Sequence, residues 1–477
     1  MVTFSKTMSS WETIIGLEVH AQASTKTKMF CACDNDAFGK PPNTTVCPIC
    51  MGHPGALPVP NAEALEKAMR AALALKAEIS KEHHLDRKNY FYPDLPSGFQ
   101  ISQYDFPLAT NGEVKFGKDQ HCRIRRLHIE NDAGKLMHAR GHSYCDFNRA
   151  GTPLMEIVTE PDLHSGTEAV DFAKELQRIL ISVKASEADM YKGMMRFDAS
   201  ISLRPKGDPK LYPRSEIKNL NSFKALEKAL EFEEKRLREL WEKKEPPTKE
   251  VTVHWDDQHE VGVILREKES AADYRYFPEP DIPPFSTNAK RLEALQKEAS
   301  VLPSEKREQY IQAGFSEAEA FLLTENADLE DFYQEIYAYT KDHKRARSTV
   351  LNQLTGFLRT SEKSLQEGPS GASVITLLTL VDTGKVNANT GKQILEEMVQ
   401  SGKEAKEIME EKGLGKSMDT SALQTFIEEA MRENPKAVED LLAGKAKAGG
   451  AIVGAVMKKA SGRADPKMVQ EILEKLL

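Results

Sequence analysis

Four cysteines near the start of the chain form two close pairs, Cys31 with Cys33 and Cys47 with Cys50, separated by thirteen residues. Two thiol pairs joined by a loop have the spacing of a four-thiolate site, which tetrahedral Zn²⁺ favours. Such a site leaves no open coordination position, so the zinc would be structural and would hold the loop at 31–50. The alternative is four reduced thiols.

Acidic residues recur in three strand-like segments: Glu18 with His20, Glu130 with Asp132, and Glu156 with Glu160. Side chains two or four residues apart on a strand point to the same face, so each segment can present its polar groups to one ligand. Carboxylates with one imidazole suit Mg²⁺, which keeps several waters and bridges to substrate phosphates. Acidic side chains on strands can equally form a solvated face. The residues alone leave both interpretations open.

These segments lie in a part of the chain whose composition differs from the rest. All six cysteines, all three tryptophans and all but four of the 24 prolines precede residue 286. The proline-dense stretch at 276–285 is too stiff to enter a helix or a central strand, so it marks a domain boundary. In this part the alternation of Ile15, Leu17 and Val19 with polar residues predicts a half-buried strand.

Two helices are predicted in the same part of the chain. The segment SGTE at 165–168 has the pattern of a capping box that opens an amphipathic helix. Asn61 precedes a second helix, rich in Ala and Leu, which is expected to run to about Ile79. Strands and helices together predict a large α+β domain.

Beyond residue 286 nearly all of the sequence has helical periodicity. The stretch Gln400–Thr420 is rich in Gly and Lys and predicts a hinge before a terminal group of helices. The predicted helices lie near 287–301, 304–313, 328–345, 347–360, 372–382, 388–401, 419–432, 436–443, 450–461 and 466–476.

The charge of the chain is unevenly distributed. Lys and Arg number 65 and Asp and Glu 73, which gives a net charge of −8 and no sign of nucleic-acid binding overall. The last 37 residues, however, carry seven Lys or Arg and three acids. Such a basic end can bind phosphate, or it can be a solvated helical surface. No apolar run approaches a membrane span and no signal segment is seen, so a cytoplasmic protein is predicted.

Ten ordered motifs of this chain closely resemble the B subunits of the bacterial tRNA-dependent amidotransferases. The resemblance spans the chain, since the segment at 453–473 is similar to the terminal domain of that family. The motifs are IGLEVHAQ, TKMFCAC, CPICMGHPGALPVPN, RKNYFYPDLP, QISQYD, HIENDAGK, NRAGTPLMEIVTEPD, MRFDASISLRP, EIKNLNSF and DYRYFPEPDIPP.

The resemblance implies an α+β fold with three domains. A large N-terminal cradle domain of antiparallel sheet with flanking helices, residues 1–290, would contain the zinc loop at 31–50. An all-helical middle domain would span 291–402. A small helical domain of the YqeY type, residues 403–477, would bind tRNA through the basic residues Lys445, Lys447, Lys458, Lys459, Arg463 and Lys467.

The family also implies a reaction. It uses ATP to phosphorylate the side-chain carboxylate of Glu-tRNA(Gln) or Asp-tRNA(Asn), and ammonia then displaces the phosphate. The residues that match Glu18, His20, Glu130 and Glu156 hold Mg²⁺ in the family. The resemblance is compatible with either misacylated tRNA, or both, as the substrate.

Further residues in the matched motifs have expected roles. Basic groups can clamp phosphate oxygens, and the candidates are Arg204, Lys218 and Arg275. Asp273 and Tyr274 are expected beside them, and Lys88 and Asn89 are expected to line an ammonia channel. These assignments have alternatives in which the residue has only a structural role: Arg204 can pair with a surface acid, and Lys88 and Asn89 can be packing residues.

The sequence departs from the family pattern at a few positions. Asn131 stands where an acid is usual, so no ligand role is expected for it. Ser97 and Phe99 replace the usual Lys and Tyr, and no role is assigned to their side chains.

The chain has neither a serine cluster of the amidase type nor a convincing cysteine nucleophile, so glutamine hydrolysis must occur elsewhere. The family supplies an amidase, its A subunit, together with a small C subunit. The alternative function is a tRNA-binding scaffold without catalysis, in which the acidic cluster faces solvent.

Overall fold

A computed structural model describes residues 11–117, 119–267, 274–298, 301–414, 420–442, 449–460, 464 and 466–476. The chain splits into two compact units, residues 1–305 and 306–477. Within the described ranges, no helix combines the length and the apolar character needed to cross a bilayer.

The first unit is a mixed α+β structure. Its strands are β1 (Trp11–Gln22), β2 (Glu78–Ile79), β3 (Glu82–His83), β4 (Asp86–Asn89), β5 (Phe99–Ser102), β6 (Ala109–Phe116), β7 (Gln120–Asn131), β8 (Lys135–Ala139), β9 (His142–Asp146), β10 (Pro153–Thr159), β11 (Met195–Pro205), β12 (Ser215–Leu220), β13 (Val251–Asp256), β14 (Val261–Glu267), β15 (Phe277–Pro278) and β16 (Phe285–Ser286). Its helices are α1 (Ala62–Ala74), α2 (Gly166–Ser182), α3 (Phe223–Glu242), α4 (Ala289–Glu298) and α5 (Pro303–Gln312), which extends into the second unit.

Nine strands form one sheet in the order β14-β13-β12-β11-β1-β10-β7-β6-β2. The sheet is antiparallel, as predicted, except that β12 and β13 run parallel. A parallel pair needs a long crossover, and the 20-residue helix α3 supplies it. The antiparallel expectation was therefore wrong for this pair.

Strand β1 lies in the middle of the sheet and shows the predicted alternation. Ile15, Leu17 and Val19 are buried on one face, where they join the main hydrophobic core with residues of α1, α2 and α3. Gly16, Glu18 and His20 alternate with them and therefore belong to the opposite face. The helices thus cover one face of the sheet and leave the other for polar groups.

Both predicted helices are present and capped. The side chain of Asn61 accepts hydrogen bonds from the backbone amides of Glu63 and Ala64 at the start of α1. This helix ends at Ala74 rather than near Ile79, because Lys76 adopts φ +54° and the chain turns into β2. Ser165 caps α2 as predicted, but the side chain of Glu168 accepts from the amide of His164 instead of closing the box on Ser165.

Helix α4 belongs to the first unit, which runs to residue 305; the boundary of the catalytic domain at 290 stays a prediction. Helix α4 packs against α1, where Arg291 forms an ion pair with Glu66 at 2.6 Å and Leu295 is buried. These contacts keep α4 with the sheet domain, although its sequence has the helical periodicity of the later part.

The second unit is helical throughout its described part. Its elements are α6 (Glu317–Glu325), α7 (Ala327–Thr340), α8 (His343–Arg347), a π-helical segment (Ser348–Leu354), α9 (Thr355–Thr360), a 3₁₀ turn (Leu365–Glu367), α10 (Gly371–Asp382), α11 (Ala388–Ser401), α12 (Ala405–Glu411), α13 (Thr420–Glu433), α14 (Pro435–Leu442), α15 (Gly449–Lys459) and α16 (Pro466–Leu476).

Two hydrophobic clusters form in the second unit, one from residues between 310 and 408 and one from residues between 423 and 473. The predicted hinge Gln400–Thr420 is in part a helix: Ala405 and Ile408 of α12 are buried in the first of these clusters. The hinge prediction was therefore wrong for residues 405–411, because two apolar side chains one turn apart are enough to bind this short helix to α11. Residues 415–419 lie outside the described part.

His83 provides a test of the fold through pH. The residue is 4% exposed, and the side-chain amide of Gln103 donates to its Nδ1 at 3.3 Å. Burial, with the neighbouring His84, lowers the pKa of His83 to about 4. In the unfolded chain the pKa of a histidine is about 6.5. Between about pH 4 and pH 6.5 the unfolded state therefore binds a proton at His83 that the folded state does not bind.

We therefore expect the contribution of His83 to stability to be full above about pH 6.5 and to be lost as the pH falls towards 4. Between pH 7 and pH 4.5 the loss is about 2 to 3 kcal/mol. Urea unfolding at both pH values should show that His83→Gln removes this difference. His259→Gln is the control, since His259 is exposed. A wild-type pH dependence in His83→Gln would contradict the assignment.

Candidate active site

Five polar residues from three adjacent strands form a row on the open face of the sheet. Cross-strand pairing sets His20 of β1 opposite Glu156 of β10, and Glu156 opposite His128 of β7. Glu18 and Glu130 lie two residues along β1 and β7, on the same face. The register of the sheet therefore brings together residues that are more than 100 positions apart in the sequence.

The four residues expected to bind magnesium all belong to this row. The Nε2 atom of His20 lies 3.6 Å from Oε1 of Glu18, 3.4 Å from Oε2 of Glu156 and 3.8 Å from Oε1 of Glu130. His20, Glu130 and Glu156 are buried, whereas Glu18 is half-buried. The sequence thus predicted a cluster that the structure assembles; the metal itself remains a prediction.

His128 is a member of the cluster that the sequence analysis missed. Its Nε2 lies 3.3 Å from Oε2 of Glu156 and 3.8 Å from Oε2 of Glu130, and the residue is 2% exposed. The signal was present, because His128 precedes Glu130 by two residues and so shares its strand face. Ser102 also contributes, since its hydroxyl donates to Oε2 of Glu130 at 3.0 Å.

The shared charges of the cluster shift its pKa values in both directions. Burial and the nearby Glu156 raise the pKa of Glu18 to about 7. Burial opposes a charge on His128, but Glu156 and Glu130 raise its pKa to about 9. His128 and His20 in turn hold the pKa of Glu156 well below its usual range, against the effect of burial. Glu156 is therefore held in its charged form, whereas Glu18 binds a proton more readily than an ordinary carboxylate does.

The donor set fits a divalent cation. One oxygen or nitrogen from each of Glu18, His20 and Glu156 lies within 4.8 Å of the others, and the same is true of His128, Glu130 and Glu156. The Nδ1 atoms of His20 and His128 are buried and have no hydrogen-bond partner within the described part of the chain. Charged oxygens with one or two imidazoles are ligands suited to Mg²⁺.

A cleft of about 750 Å³ is lined by part of the row and by three tyrosines. The rings of Tyr104 and Tyr276 stack at 4.4 Å, and Tyr274 stands edge-on to Tyr276 at 6.2 Å. The cleft is lined by Glu18, Glu156, His128, Lys88, Lys218, Arg125, Arg126, Arg214 and Lys249, among others. Anionic and cationic side chains therefore share one cavity.

Lys218 and Lys88 are two cations that line the cleft beside the acidic row. Lys218 lies 2.9 Å from Glu216 and 3.2 Å from Asp198, and these carboxylates raise its pKa although burial opposes the charge. Lys88 stands 5.0 Å from the ring of Tyr274, and the charge of Glu130 raises its pKa against burial. Both lysines are held in their charged form.

Arg126 is a further cation of the cleft that the sequence analysis did not single out. Its guanidinium lies 3.7 Å from Oε1 of Glu156. Its Nε is buried and lacks a hydrogen-bond partner within the described residues. The guanidinium therefore keeps donor capacity inside the cleft.

One of the predicted clamp residues, Arg204, is not brought to the row. Arg204 donates from Nε to Oε2 of Glu12 at 2.7 Å, six residues along β1 from Glu18, which is about 20 Å in an extended strand. Arg275 is exposed and adopts φ +47°. The ion pair of Arg204 is the alternative that its sequence left open. Tyr274 lines the cleft, whereas Asp273 lies outside the described residues.

Other polar residues of the same motifs have structural partners. The side-chain amide of Asn89 donates to the carbonyls of Tyr274 and Arg275, and so fixes the segment beside Lys88. Asn131 accepts from the amide of Ile101 at 2.8 Å, which joins β5 to β7. Ser97 donates from its hydroxyl to the carbonyl of Phe99.

The two acids first considered with the row are paired elsewhere. Asp132 binds Arg196 at 3.1 Å. Glu160 binds Arg125 at 2.8 Å. Because each of these carboxylates is neutralised by an arginine, we do not count either of them among the candidate metal ligands of the row.

The predicted thiolate cluster is also assembled. The four sulfur atoms of Cys31, Cys33, Cys47 and Cys50 lie within 4.8 Å of one another. The Sγ atoms of Cys47 and Cys50 are 3.9 Å apart, close to the separation of about 3.8 Å in a tetrahedral zinc site with Zn–S bonds of 2.3 Å. A hydrogen bond from Cys31 lowers the pKa of Cys50 to about 5, and the charge of Lys28 acts in the same direction. The donors therefore fit Zn²⁺.

The basic residues of the tail are only partly described. Lys458 is exposed, whereas Lys459 is held between Glu429 at 2.9 Å and Glu433 at 2.7 Å. The predicted tRNA-binding residues Lys445, Lys447 and Arg463, and the side chain of Lys467, lie outside the described part.

The sequence of this chain, which forms a sheet domain with a carboxylate–imidazole row and then a helical part, matches the models of one protein family. Residues 13–293 match the model of the GatB/GatE catalytic domain, and residues 331–477 match that of the GatB domain. The chain belongs to this family.

Full-length relatives support the match. The B subunit of the aspartyl/glutamyl-tRNA(Asn/Gln) amidotransferase of Persephonella marina is 42% identical over 98% of this chain and 99% of its own length. The protein of that name from Thermotoga maritima is 42% identical over 97% and 98%. The protein named as the second such B subunit in Clostridium acetobutylicum is 44% identical over 98% and 99%.

Proposed function

We propose that this chain is the subunit of an aminoacyl-tRNA amidotransferase that activates the carboxylate. It acts on Glu-tRNA(Gln), Asp-tRNA(Asn) or both, with ATP as the phosphoryl donor. The observation that carries the proposal is the cluster of Glu18, His20, Glu130 and Glu156. Two of its members, Glu18 and Glu156, line a cleft together with Lys88, Lys218 and Arg126. Phosphoryl transfer needs this combination of anionic metal ligands and phosphate-facing cations.

The reaction has two balanced steps. An oxygen of the substrate carboxylate attacks the γ-phosphorus of ATP, and the bond to the β-phosphate oxygen breaks to release ADP. Ammonia then attacks the acyl carbon, phosphate leaves, and a proton is lost to give the amide. Phosphorylation is required because a free carboxylate is a poor acyl electrophile at neutral pH.

The acidic and the basic residues of the site have different proposed roles. Glu18, His20, Glu130 and Glu156 would hold Mg²⁺, which supplies charge neutralisation at the nucleotide phosphates when bound. Lys218 and Arg126 face the cleft and would bind phosphate oxygens. His128 sits between two of the carboxylates and would orient them. Arg204 pairs with Glu12 at the far end of β1, so no phosphate contact is proposed for it. Arg275 is exposed between Tyr274 and Tyr276, which line the cleft, and is kept as a candidate phosphate ligand.

Lys88 and Asn89 were expected to line an ammonia channel, and their contacts refine that proposal. Lys88 is a charged group beside Glu130 and Glu156, so it would balance the acidic row where the acyl phosphate forms. Asn89 would hold the segment at 274–275 in place and keep Tyr274 at the cleft. A channel would then open beside these residues.

The cysteine cluster is proposed to hold a structural zinc. We expect Cys31→Ser and Cys47→Ser to lose zinc and to loosen the loop at 31–50 without directly removing the chemistry, because four sulfur ligands leave no position for substrate. Elemental analysis under reducing conditions measures the zinc, and protease digestion measures the loop. Cys145→Ser is the matched control, since Cys145 lies outside the cluster. Absence of zinc from the wild-type protein would refute the site.

The partners follow from the chemistry. The reaction needs ammonia, which we propose comes from an amidase, the A subunit of the family, with the small C subunit joining the pair in a cytoplasmic heterotrimer. The sheet domain would be the catalytic cradle, followed by a helical domain and a tRNA-binding tail domain. We propose that this tail begins after residue 414 rather than at 403, since Ala405 and Ile408 of α12 pack with the preceding helices.

The decisive experiment compares ATP cleavage by the assembled complex with misacylated and with uncharged tRNA. Cleavage that depends on the misacylated form, with phosphate release in the absence of ammonia, supports activation of the carboxylate. Parallel assays with Glu-tRNA(Gln) and Asp-tRNA(Asn) identify the substrates. Tight tRNA binding without ATP cleavage would favour the scaffold function instead.

A further inference from the structure

Lys28 is a fully buried lysine beside the thiolate cluster. Its residue is 0% exposed, and its Nζ lies 3.8 Å from Sγ of Cys50 and 3.5 Å from the carbonyl oxygen of Phe147. Within the described part of the chain it forms no ion pair with an Asp or Glu. A buried ammonium group without a counter-charge is strongly disfavoured, so the sulfur cluster has to supply the negative charge.

The charge of the cluster depends on its state. Four neutral thiols would offer Lys28 only weak acceptors, whereas four thiolates around Zn²⁺ carry a net charge of −2. A single ammonium beside Cys50 halves that charge. The lysine and the sulfur cluster are therefore complementary only when the thiolates and the metal are present.

We propose that Lys28 is the built-in counter-ion of the four-thiolate centre and donates an N–H···S hydrogen bond to Cys50. This inference rests on the zinc site proposed above. Lys28 is not itself a metal ligand. It stabilises the metal-bound thiolate of Cys50 through its charge and hydrogen bond, as residues around metal ligands commonly do.

The surrounding backbone holds Lys28 in this position. Gly151, with φ +88°, lies against both partners: a Cβ added there would be 3.2 Å from Cβ of Cys50 and 3.4 Å from Cδ of Lys28. The amide of Met29 donates to the carbonyl of Gly151 at 2.8 Å, directly after Lys28 in the chain. The stem of the lysine is thus enclosed, and its ammonium group cannot turn to solvent.

The test uses the full chain in its complex, purified under reducing conditions. Lys28→Met removes the charge and nearly keeps the length of the side chain. Lys28→Gln also removes the charge but keeps a donor for the carbonyl of Phe147, which separates charge from packing. Lys26→Met is the matched control, because Lys26 is exposed on the same segment. Zinc content and the rate of zinc transfer to a chromogenic chelator are measured.

Both Lys28 variants should release zinc about 10- to 100-fold faster than the wild type, and Lys26→Met should not. Wild-type release rates in both variants would overturn the counter-ion role and leave the zinc site standing. A wild-type protein without zinc would overturn the site and the counter-ion together. The two failures are therefore distinguishable.

Discussion

Replacing Glu156 with glutamine is expected to reduce tRNA-dependent ATP cleavage about a thousandfold, the scale seen when a charged group that stabilises a transition state is removed. Glu156 is the central acid of the row: its Oε2 lies 3.4 Å from His20 and 3.3 Å from His128. The amide is neutral and places an N–H donor where a cation should bind. We expect similar losses for Glu18→Gln and Glu130→Gln.

Two controls separate this effect from misfolding. Glu113→Gln changes an acid on β6 of the same sheet and should keep nearly wild-type activity. Glutaminase activity of the complex and tRNA binding should survive in the Glu156 variant, because neither uses the row. ATP cleavage at the wild-type rate in Glu156→Gln would refute the assignment of the row as the site of phosphoryl transfer.

Ending the chain after Leu414 should raise the Michaelis constant for misacylated tRNA about tenfold or more and flatten its salt dependence. The cut removes the basic end that the sequence contains, and contacts to RNA phosphates depend strongly on salt. It leaves the cluster between 310 and 408 complete, including Ala405 and Ile408 of α12. A cut at 403 would instead expose that core. Turnover at saturating tRNA should change less.

Neighbouring lysines offer a point-mutant version of this test. Lys458 is exposed, whereas Lys459 is occupied by Glu429 and Glu433. Lys458→Ala should weaken tRNA binding and lower the salt slope by about one, while Lys459→Ala should change it less. Equal affinities and slopes for the truncated and full-length complexes would mean that the basic end is only a solvated surface.

Local patterns of the sequence were sufficient for several features. The spacing of Cys31, Cys33, Cys47 and Cys50 was enough to predict their cluster, because the ligand pairs lie close in the chain and one loop joins them. The alternation along β1 predicted which face carries Glu18 and His20, since the side-chain period of a strand is two. The helix starts after Asn61 and Ser165 were predicted correctly for the same reason, since each cap hydrogen bond spans only a few residues, although the box predicted at Ser165 does not close.

Other features depended on contacts between distant segments, and only the tertiary structure decided them. The register of β1, β10 and β7 brings His128 and Arg126 to Glu156, and it leaves Arg204 with Glu12 at the far end of β1. Tertiary packing likewise turned part of the predicted hinge into α12 and made β13 parallel to β12. The sequence by itself determined which residues can do the chemistry, because residue type and short-range geometry are local properties. Only the fold decided which of them meet, because strand register and core packing are set by the whole chain.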